Sequence, residues 1–386
     1  MNTRHARAGF AMPAAIGALV IMGALVTAGF YMARQELRVG VASNHTNMAV
    51  NLAQAGANEI MANWNGYQLG NVPVWGDTTI TDTTGVGIWT VNITNTNNVI
   101  YYLDATGEVT RGGDLWAGAT RNIGLVTRLI FADIDPPAAL TTRGPVSVKG
   151  GAAIIGTDDP PAGWSGYCDT TTDHPGLVNN DTTEVSTTGG GTIDGTPPYD
   201  QDSTIVDETF TEFGDMDWDE LVALAQLEGK DVSSLGTNIN STGPALDGAG
   251  NCDESVLTNW GDTLPSAPCG SYFPLIYHSG PTLRIQSGGI GQGILLVDGT
   301  LDLRGSFLFY GIIIVQGSFE TQGSGNRIVG AVMAGNATVD EQSMVGASAV
   351  QYSSCAVQRS ILNNASLSRA RPLSERSWID LSSVLN

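Results

Sequence analysis

The chain has 386 residues and a formal net charge of −21, but only 14% of its residues are charged and 49 are glycine. An acidic surface repels phosphates, which excludes nucleic acid as the expected partner. The abundance of threonine, serine, asparagine and glycine is typical of short strands joined by turns, so the composition predicts a mainly β protein rather than an ordinary cytosolic enzyme.

The N-terminus joins a short basic stretch to a long apolar run. "RHARAG" precedes residues 10–33, none of which carries a charged side chain. At ~1.5 Å per residue, a helix of this length spans the ~30 Å hydrocarbon core of a bilayer. The run is longer than the apolar region of a cleaved secretory signal peptide, so residues 10–33 are predicted to span a membrane.

A helical pattern continues through residues 34–64, which contain no proline. Apolar residues follow one face at spacings of three, four, five and seven: Leu37, Val41, Met48, Leu52, Ala55 and Ile60. This spacing is typical of an amphipathic helix. We therefore predict one helix of about 50 residues, half apolar and half amphipathic.

The leader, the apolar helix and its extension together resemble the class III signal peptides of type IV pilins and pseudopilins. The matching step is Gly9–Phe10, and the stretch "MAVNLAQAGANEI" is similar to the helix of PilX-type minor pilins. The resemblance covers only the leader and the long helix. It implies that a prepilin peptidase cuts the leader 1–9 from Phe10 and methylates the new amine. The alternative is a plain single-span anchor with an uncleaved leader.

The resemblance also implies location and partners. The protein would enter the inner membrane as a single-pass protein, with its head in the periplasm or outside. It would then join other pilins through the N-terminal helix in an extracellular filament. Major pilins carry glutamate at the fifth mature position, where this chain has Ala14. In lacking this glutamate, the chain resembles the minor pseudopilins of a filament tip.

Residues 65–140 contain short alternating runs such as "GIWTVNIT" and "VIYYLDA", separated by glycine, asparagine and aspartate. This pattern predicts an antiparallel meander packed on the helix, as in the heads of pilins. The inward-facing candidates are Trp89, Val91, Ile93, Ile100 and Tyr102.

An internal repeat dominates the second half of the chain. Residues 299–311 align without gaps with residues 144–156, and a third copy occupies 317–329. "VDG", "VQG" and "MAG" recur with a period of 18 residues, at 297–299, 315–317 and 333–335. This period fits one coil of a parallel β-helix, so we predict a first coil at 141–156 and further coils at 280–350.

The segment between the copies, 157–279, is predicted to be a loop-rich insertion with one helix. "DWDELVALAQLEG" carries Asp217 as a candidate N-cap and Gly229 as a terminator, with Leu221, Val222 and Ala225 as docking residues. Residues 351–386 are predicted to be a C-terminal tail.

The chain has four cysteines, and no pair has the C-x-x-C spacing of a zinc or redox site. An even number next to an export-type N-terminus favours two disulfides, with four free buried thiols as the alternative. Three connectivities are possible. We expect Cys252–Cys269 as a local bridge, and Cys168–Cys355 as a bridge between the start of the insertion and the chain after the last coil.

Two acidic features are candidates for a catalytic site or a calcium site. Asp302 and Glu320 lie one repeat apart, and paired carboxylates serve as acid and base on glycosidic bonds. Because they alternate with leucines, we expect them on solvated outer faces. Residues 207–220 hold seven acidic side chains but lack the spacing of a calcium loop, so Ca²⁺ is a minor possibility and no other cofactor is expected.

The sequence therefore predicts an α+β, mainly β protein: a long pilin helix, an antiparallel pilin-like sheet, and β-helix-like 18-residue coils interrupted by an insertion. The predicted function is that of a minor pilin or pseudopilin in filament assembly, without catalytic residues. The alternative is a membrane-anchored β-helical enzyme or adhesin acting on extracellular glycans.

Overall fold

The structure is a computed structural model that describes residues 11–110, 118–164, 166–168, 172–286, 288–323, 325–340, 349–373 and 378–381. The chain divides into two units. The first comprises Met1–Leu129 and Ala370–Asn386, and the second comprises Ile130–Arg369. Each unit has its own hydrophobic core.

The first unit begins with helix α1, Ala11–Ala62, a single helix of 52 residues as the sequence predicts. Pro13 lies in its first turn, where a missing backbone N–H costs no hydrogen bond. The residues that α1 buries lie in its last four turns: Ala49, Leu52, Ala53, Gly56, Ala57 and Ile60.

This buried face differs from the predicted amphipathic one. Leu37 is 65% exposed and Ala55 is also exposed, whereas the buried face is made largely of alanine and glycine. Small residues let the sheet approach the helix closely. A Cβ on Gly56, for example, would lie 2.8 Å from the Trp89 ring. The prediction was misplaced because it weighted large apolar residues over small ones.

An antiparallel sheet packs on this part of α1, in agreement with the predicted meander. Its first strands are β1 (Asp77–Thr83), β2 (Gly87–Asn97), β3 (Ile100–Val109) and β4 (Thr120–Phe131). They pair in chain order. The predicted C-terminal tail is not separate, because Ser368–Pro372 and Trp378–Asp380 both pair with β4. The sheet thus has six strands.

The inward residues of β2 are as predicted, but those of β3 are shifted by one. Trp89, Val91 and Ile93 are buried in β2. In β3, Tyr101 and Leu103 are buried rather than the predicted Ile100 and Tyr102, which are half-buried. The β2–β3 register shifts between Asn95 and Asn97. One extra residue in a hairpin exchanges the two faces of the strand that follows.

The second unit is built on a 15-stranded sheet whose strands pair in parallel. Its first seven strands along the chain are β5 (Leu140–Thr142), β6 (Val146–Lys149), β7 (Ala153–Ile155), β8 (Leu177–Asn179), β9 (Val185–Thr188), β10 (Thr192–Asp194) and β11 (Tyr199–Gln201). A separate antiparallel pair follows, β12 (Glu212–Phe213) and β13 (Met216–Asp217).

Helix α2, Trp218–Leu227, forms where the sequence predicts it. The Asp217 carboxylate accepts a hydrogen bond from the Glu220 backbone N–H at 2.8 Å. Leu221, Leu224 and Ala225 are buried, and Val222 packs partly buried against the same core.

The remaining strands of the large sheet are β14 (Asn238–Ile239), β15 (Leu275–His278), β16 (Thr282–Ile285), β17 (Ile290–Val297), β18 (Thr300–Arg304), β19 (Leu308–Gln322), β20 (Arg327–Asp340) and β21 (Ala349–Tyr352). Helix α3, Ser354–Leu362, comes next. The two strands that join the antiparallel sheet are β22 (Ser368–Pro372) and β23 (Trp378–Asp380).

The repeat of the sequence appears as the register of these parallel pairs. Leu301 pairs with Phe319, and Phe319 pairs with Ala337, so each step equals the predicted period. The interval is not constant, because Val315 pairs with Ala334 and the register shifts between Val315 and Ser318. The prediction of an exact period is therefore wrong by one residue over part of β19 and β20.

The predicted first copy, 144–156, lies beside the last copy in the sheet. Strands β5 and β6 pair with β20, and β7 pairs with β21. On their other side they pair with β8, β9 and β10, which belong to the segment predicted as loops. Strands of three or four residues are too short to show a periodicity, which is why this part of the prediction was wrong.

Three glycines line up across neighbouring strands, at a position that we call the corner. Gly293, Gly311 and Gly330 occupy one register position on β17, β19 and β20. Their φ angles are 105°, 138° and 142°, a region that side-chain-bearing residues rarely adopt. The backbones also approach so closely that a Cβ on Gly330 would overlap the carbonyl oxygen of Gly311. Glycine is thus required at this corner for two separate reasons.

Candidate functional site

The first candidate site is the exposed part of helix α1. Every described side chain from Met12 to Gly40 is exposed, including Leu19 at 70% and Phe30 at 72%. The most apolar stretch of α1 has no buried residue. The helix is therefore long and apolar enough to cross a membrane. At 52 residues and ~1.5 Å per residue it measures ~78 Å, more than twice the thickness of the hydrocarbon core.

The predicted processing step, Gly9–Phe10, lies outside the described residues. Ala14 lies within α1 and is exposed, as are its neighbours on the helix. The apolar part of α1 therefore offers a continuous surface of aliphatic and small side chains to a bilayer or to other helices.

The four cysteines form the two disulfides that the sequence analysis favours. Cys252 is bonded to Cys269, with a sequence separation of 17 residues and a Cα–Cα distance of 4.9 Å. Cys168 is bonded to Cys355, with a separation of 187 residues and a Cα–Cα distance of 5.4 Å. The second bond ties the segment before β8 to helix α3.

An aromatic cluster surrounds the Cys168–Cys355 bond. The guanidinium carbon of Arg359, on α3, lies 5.1 Å from the centroid of the Trp164 ring and 5.5 Å from that of Phe273. The Trp164 indole N–H donates to the Thr263 carbonyl oxygen at 2.7 Å. The disulfide and this cluster together fix α3 against the parallel sheet.

The carboxylate pair Asp302 and Glu320 is adjacent in the sheet, as predicted, but its surroundings differ from the prediction. Asp302 is 2% exposed rather than solvated. Its carboxylate accepts a hydrogen bond from Arg284 Nε at 2.8 Å and forms an ion pair with Arg304 Nη2 at 2.9 Å. Glu320 is half-buried. Two arginines pair with the Asp302 carboxylate, and the contact with Arg284 links the neighbouring strands β16 and β18.

Two acidic residues of the segment 207–220 have structural roles. Asp207 forms an ion pair with Arg143, and Asp217 caps helix α2. Within the described part of the chain, no group of three or more histidine, cysteine, aspartate or glutamate side chains converges as a metal site.

Sequence reasoning missed a cavity of about 420 Å³ in the second unit. Its lining combines two carboxylates, an aromatic wall and amide groups: Glu228, Glu254, Ser271, Tyr272, Phe273, Pro274, Asn363, Asn364 and Ser366. Burial raises the pKa of Glu228 and also that of Tyr272. The cavity joins segments that are far apart in the chain, so no local spacing could have indicated it.

Lys230 lies close to this cavity and is 1% exposed. Its ammonium donates to the Val256 carbonyl oxygen at 2.7 Å and lies 5.3 Å from the centroid of the Tyr272 ring. Burial lowers the pKa of Lys230 to about 8, although the nearby carboxylates of Glu254, Asp253 and Glu228 oppose the shift. Backbone carbonyl groups and an aromatic face hold this cation, which indicates a structural role.

No known protein family and no curated protein matches the sequence. Among solved structures, the chain is similar to the competence-associated pilin ComZ from Thermus thermophilus, with 12% identity over 80% of this chain and 91% of that one. The TM-score is 0.24. A TM-score this low does not establish a common fold.

Proposed function

We propose that the chain is a minor pilin or pseudopilin that takes part in the assembly of a type IV pilus-like filament. The observation that carries the proposal is helix α1. Its exposed apolar part continues without a break into a part that packs on an antiparallel sheet. A helix of this kind can span a bilayer, and it can also pack in a bundle with identical or similar helices.

In this proposal the leader 1–9 is removed and Phe10 becomes the methylated N-terminus. The basic leader, the Gly9–Phe10 step and the following uncharged run are the residues a prepilin peptidase recognises by the pilin resemblance. The protein is held in the inner membrane by α1 before assembly. Other pilins are its partners, and they contact the exposed apolar surface of α1.

The second unit serves as an enlarged, non-catalytic head in the periplasm or outside the cell. We interpret its parallel pairs, spaced by the sequence period or by one position more, as coils of a parallel β-helix. Support comes from the aliphatic side chains stacked along the pairs, such as Ile294, Ile312 and Ala331, which are all 0% exposed. The two disulfides suit an oxidising compartment.

In this proposal the subunit lies at the filament tip, and the residue that supports this position is Ala14. An ammonium group buried among apolar helices is costly unless a carboxylate offsets its charge. Ala14 provides no carboxylate for the amine of a subunit above it. The ammonium group of Phe10 still pairs with a carboxylate from a subunit below.

Mass spectrometry of the mature protein from its natural host tests the processing step. The expected N-terminus is N-methylated Phe10. A Gly9→Val variant should keep its leader, because a branched side chain replaces the residue next to the cut bond. A matched Gly17→Val variant, changed inside the helix, should be processed normally. An intact Met1 in the wild-type protein, or a cut near residue 30, would contradict the pilin proposal.

A further inference from the structure

One end of the large parallel sheet carries strands that pair on one side only. Among the described residues, β9 pairs with β6, β10 pairs with β7 and β11 pairs with β8, and none of the three has a second partner. We call this set of strands, Val185–Thr188, Thr192–Asp194 and Tyr199–Gln201, the open end. Most of its side chains are exposed.

Apolar side chains at the open end are more exposed than the apolar residues with which they pair on the neighbouring strands. Val146 pairs with Val185, and Ile154 pairs with Ile193. Val146 is 1% exposed and Ile154 is 0% exposed, whereas Val185 and Ile193 are only half-buried. The difference arises because no further strand of the described chain lies over the outer layer.

A cavity of about 450 Å³ opens between these strands. Val185, Ile193 and Tyr199 contribute apolar surface to it, and Tyr199 is 55% exposed. Threonines and a glycine complete the lining. The cavity is therefore a shallow, partly apolar recess at the place where the next layer of side chains would pack.

Backbone groups at the open end point outward as well. The Thr192 N–H donates to the Ala152 carbonyl oxygen at 3.0 Å, and the Asp194 carbonyl accepts from the Gly156 N–H at 2.7 Å. Both bonds are directed to the inner side of β10. In a strand, successive residues direct their N–H and C=O groups to opposite sides, so those of Ile193 face away from β7.

The negative charge around the open end determines which kind of partner can bind there. Residues 181–202 contain five carboxylates, Asp181, Glu184, Asp194, Asp200 and Asp202, and no lysine or arginine. Hydrogen bonds from Thr183 and Thr204 lower the pKa of Asp181 and of Asp202, so both stay ionised at neutral pH.

A second copy of this chain is a poor occupant. Its own open end would bring the same negative charges into contact. The other end of the sheet differs, because Asp231 bridges to Tyr277 on β15 and helix α2 packs against β15. At that end β14 pairs with β16 alone in the described part of the chain, but its two residues offer too short an edge to pair with the strands of the open end of a copy stacked head to tail.

We propose that the open end is a docking surface for a basic, extended segment of a partner protein, which adds to the sheet as a further strand. The free backbone groups of the edge would pair with the segment, as in other cases of β-augmentation. Apolar side chains of the segment would fill the recess over Val185 and Ile193. Its lysines or arginines would face the carboxylates around the edge. The proposal does not depend on the pilin role.

The test measures binding of fluorescein-labelled peptides to the full chain in detergent micelles, by fluorescence anisotropy. The probe is a short peptide that alternates valine and lysine. The matched peptide carries N-methyl groups on all of its peptide nitrogens, which leaves its charge unchanged but removes its backbone N–H donors whichever way the segment runs. We expect the N-methylated peptide to bind at least about tenfold more weakly, a loss of about 1.4 kcal/mol.

Two double variants separate the open end from the general acidity of the chain. Glu184→Lys with Asp200→Lys should weaken binding of the unmethylated peptide at least about tenfold. Asp77→Lys with Glu108→Lys makes the same charge change on the antiparallel sheet of the first unit and should leave binding within about twofold. Equal binding of the two peptides, an equal loss in both double variants, or no binding of the valine–lysine peptide would each overturn the proposal.

Discussion

Replacing Gly311 by alanine should destabilise the second unit strongly, because this glycine meets two demands at once. Its φ of 138° lies where a Cβ is strained, and the added carbon would overlap the Gly293 carbonyl oxygen and the Ser360 hydroxyl. The backbone strain costs about 2 kcal/mol. Overpacking against backbone costs about 2 kcal/mol more, since a neighbouring strand cannot move aside as a flexible side chain can. We expect a loss of about 4 kcal/mol in the free energy of unfolding.

Two other glycines of the same unit act as controls. Gly236 has a φ of 78°, and nothing lies within 4 Å of its added Cβ, so Gly236→Ala isolates the strain and should cost about 1–2 kcal/mol. Gly248 has neither feature, and Gly248→Ala should be neutral or slightly stabilising because it reduces the entropy of the unfolded chain.

The assay is urea unfolding of the full chain in detergent, followed by tryptophan fluorescence. Trp164 and Trp260 are both 0% exposed in the second unit, so their emission reports its unfolding. The order of destabilisation should be Gly311→Ala, then Gly236→Ala, then Gly248→Ala. If Gly311→Ala costs no more than Gly236→Ala, the close stacking of strands at this corner is not as described.

Three further predictions concern charge, cross-links and assembly. Because the pKa of Lys230 falls from 10.5 to about 8 on folding, the folded state binds fewer protons than the unfolded state between these values, and stability rises with pH. Between pH 8 and pH 10 the wild type should therefore gain about 2 kcal/mol in urea unfolding relative to Lys230→Met, and parallel pH profiles would refute this. Changing both Cys168 and Cys355 to serine releases a loop of 187 residues and should cost about 5 kcal/mol by the chain-entropy relation, against about 3 kcal/mol for the other disulfide with its 17 residues; equal losses in urea unfolding would contradict that relation. Immunogold labelling should place the protein at filament tips in low copy number, and label along the whole shaft would defeat the argument from Ala14, whatever an Ala14→Glu variant does.

Local patterns were sufficient for the features that depend on neighbouring residues. The uncharged run 10–33, followed by a proline-free segment, predicted one long helix, and α1 runs unbroken over 52 residues. Asp217 three residues before Glu220 predicted the start of α2, because an N-cap bond closes within one turn. The repeat predicted that Leu301 and Phe319 lie on adjacent strands, since their spacing equals one period.

Long-range packing decided the rest. The copy at 144–156 stacks beside β20 and β21 instead of preceding β17, because the chain leaves the sheet after β11 and rejoins it at the other end with β14. No spacing along the chain records that path. The burial of Asp302 is similar, because Arg284 covers it from the neighbouring strand β16. The register of β3 depended on a single shift in its hairpin, which turned Tyr101 inward in place of Tyr102. Composition and periodicity describe which residues bury surface, whereas the order of strands depends on which surfaces meet once the chain has folded.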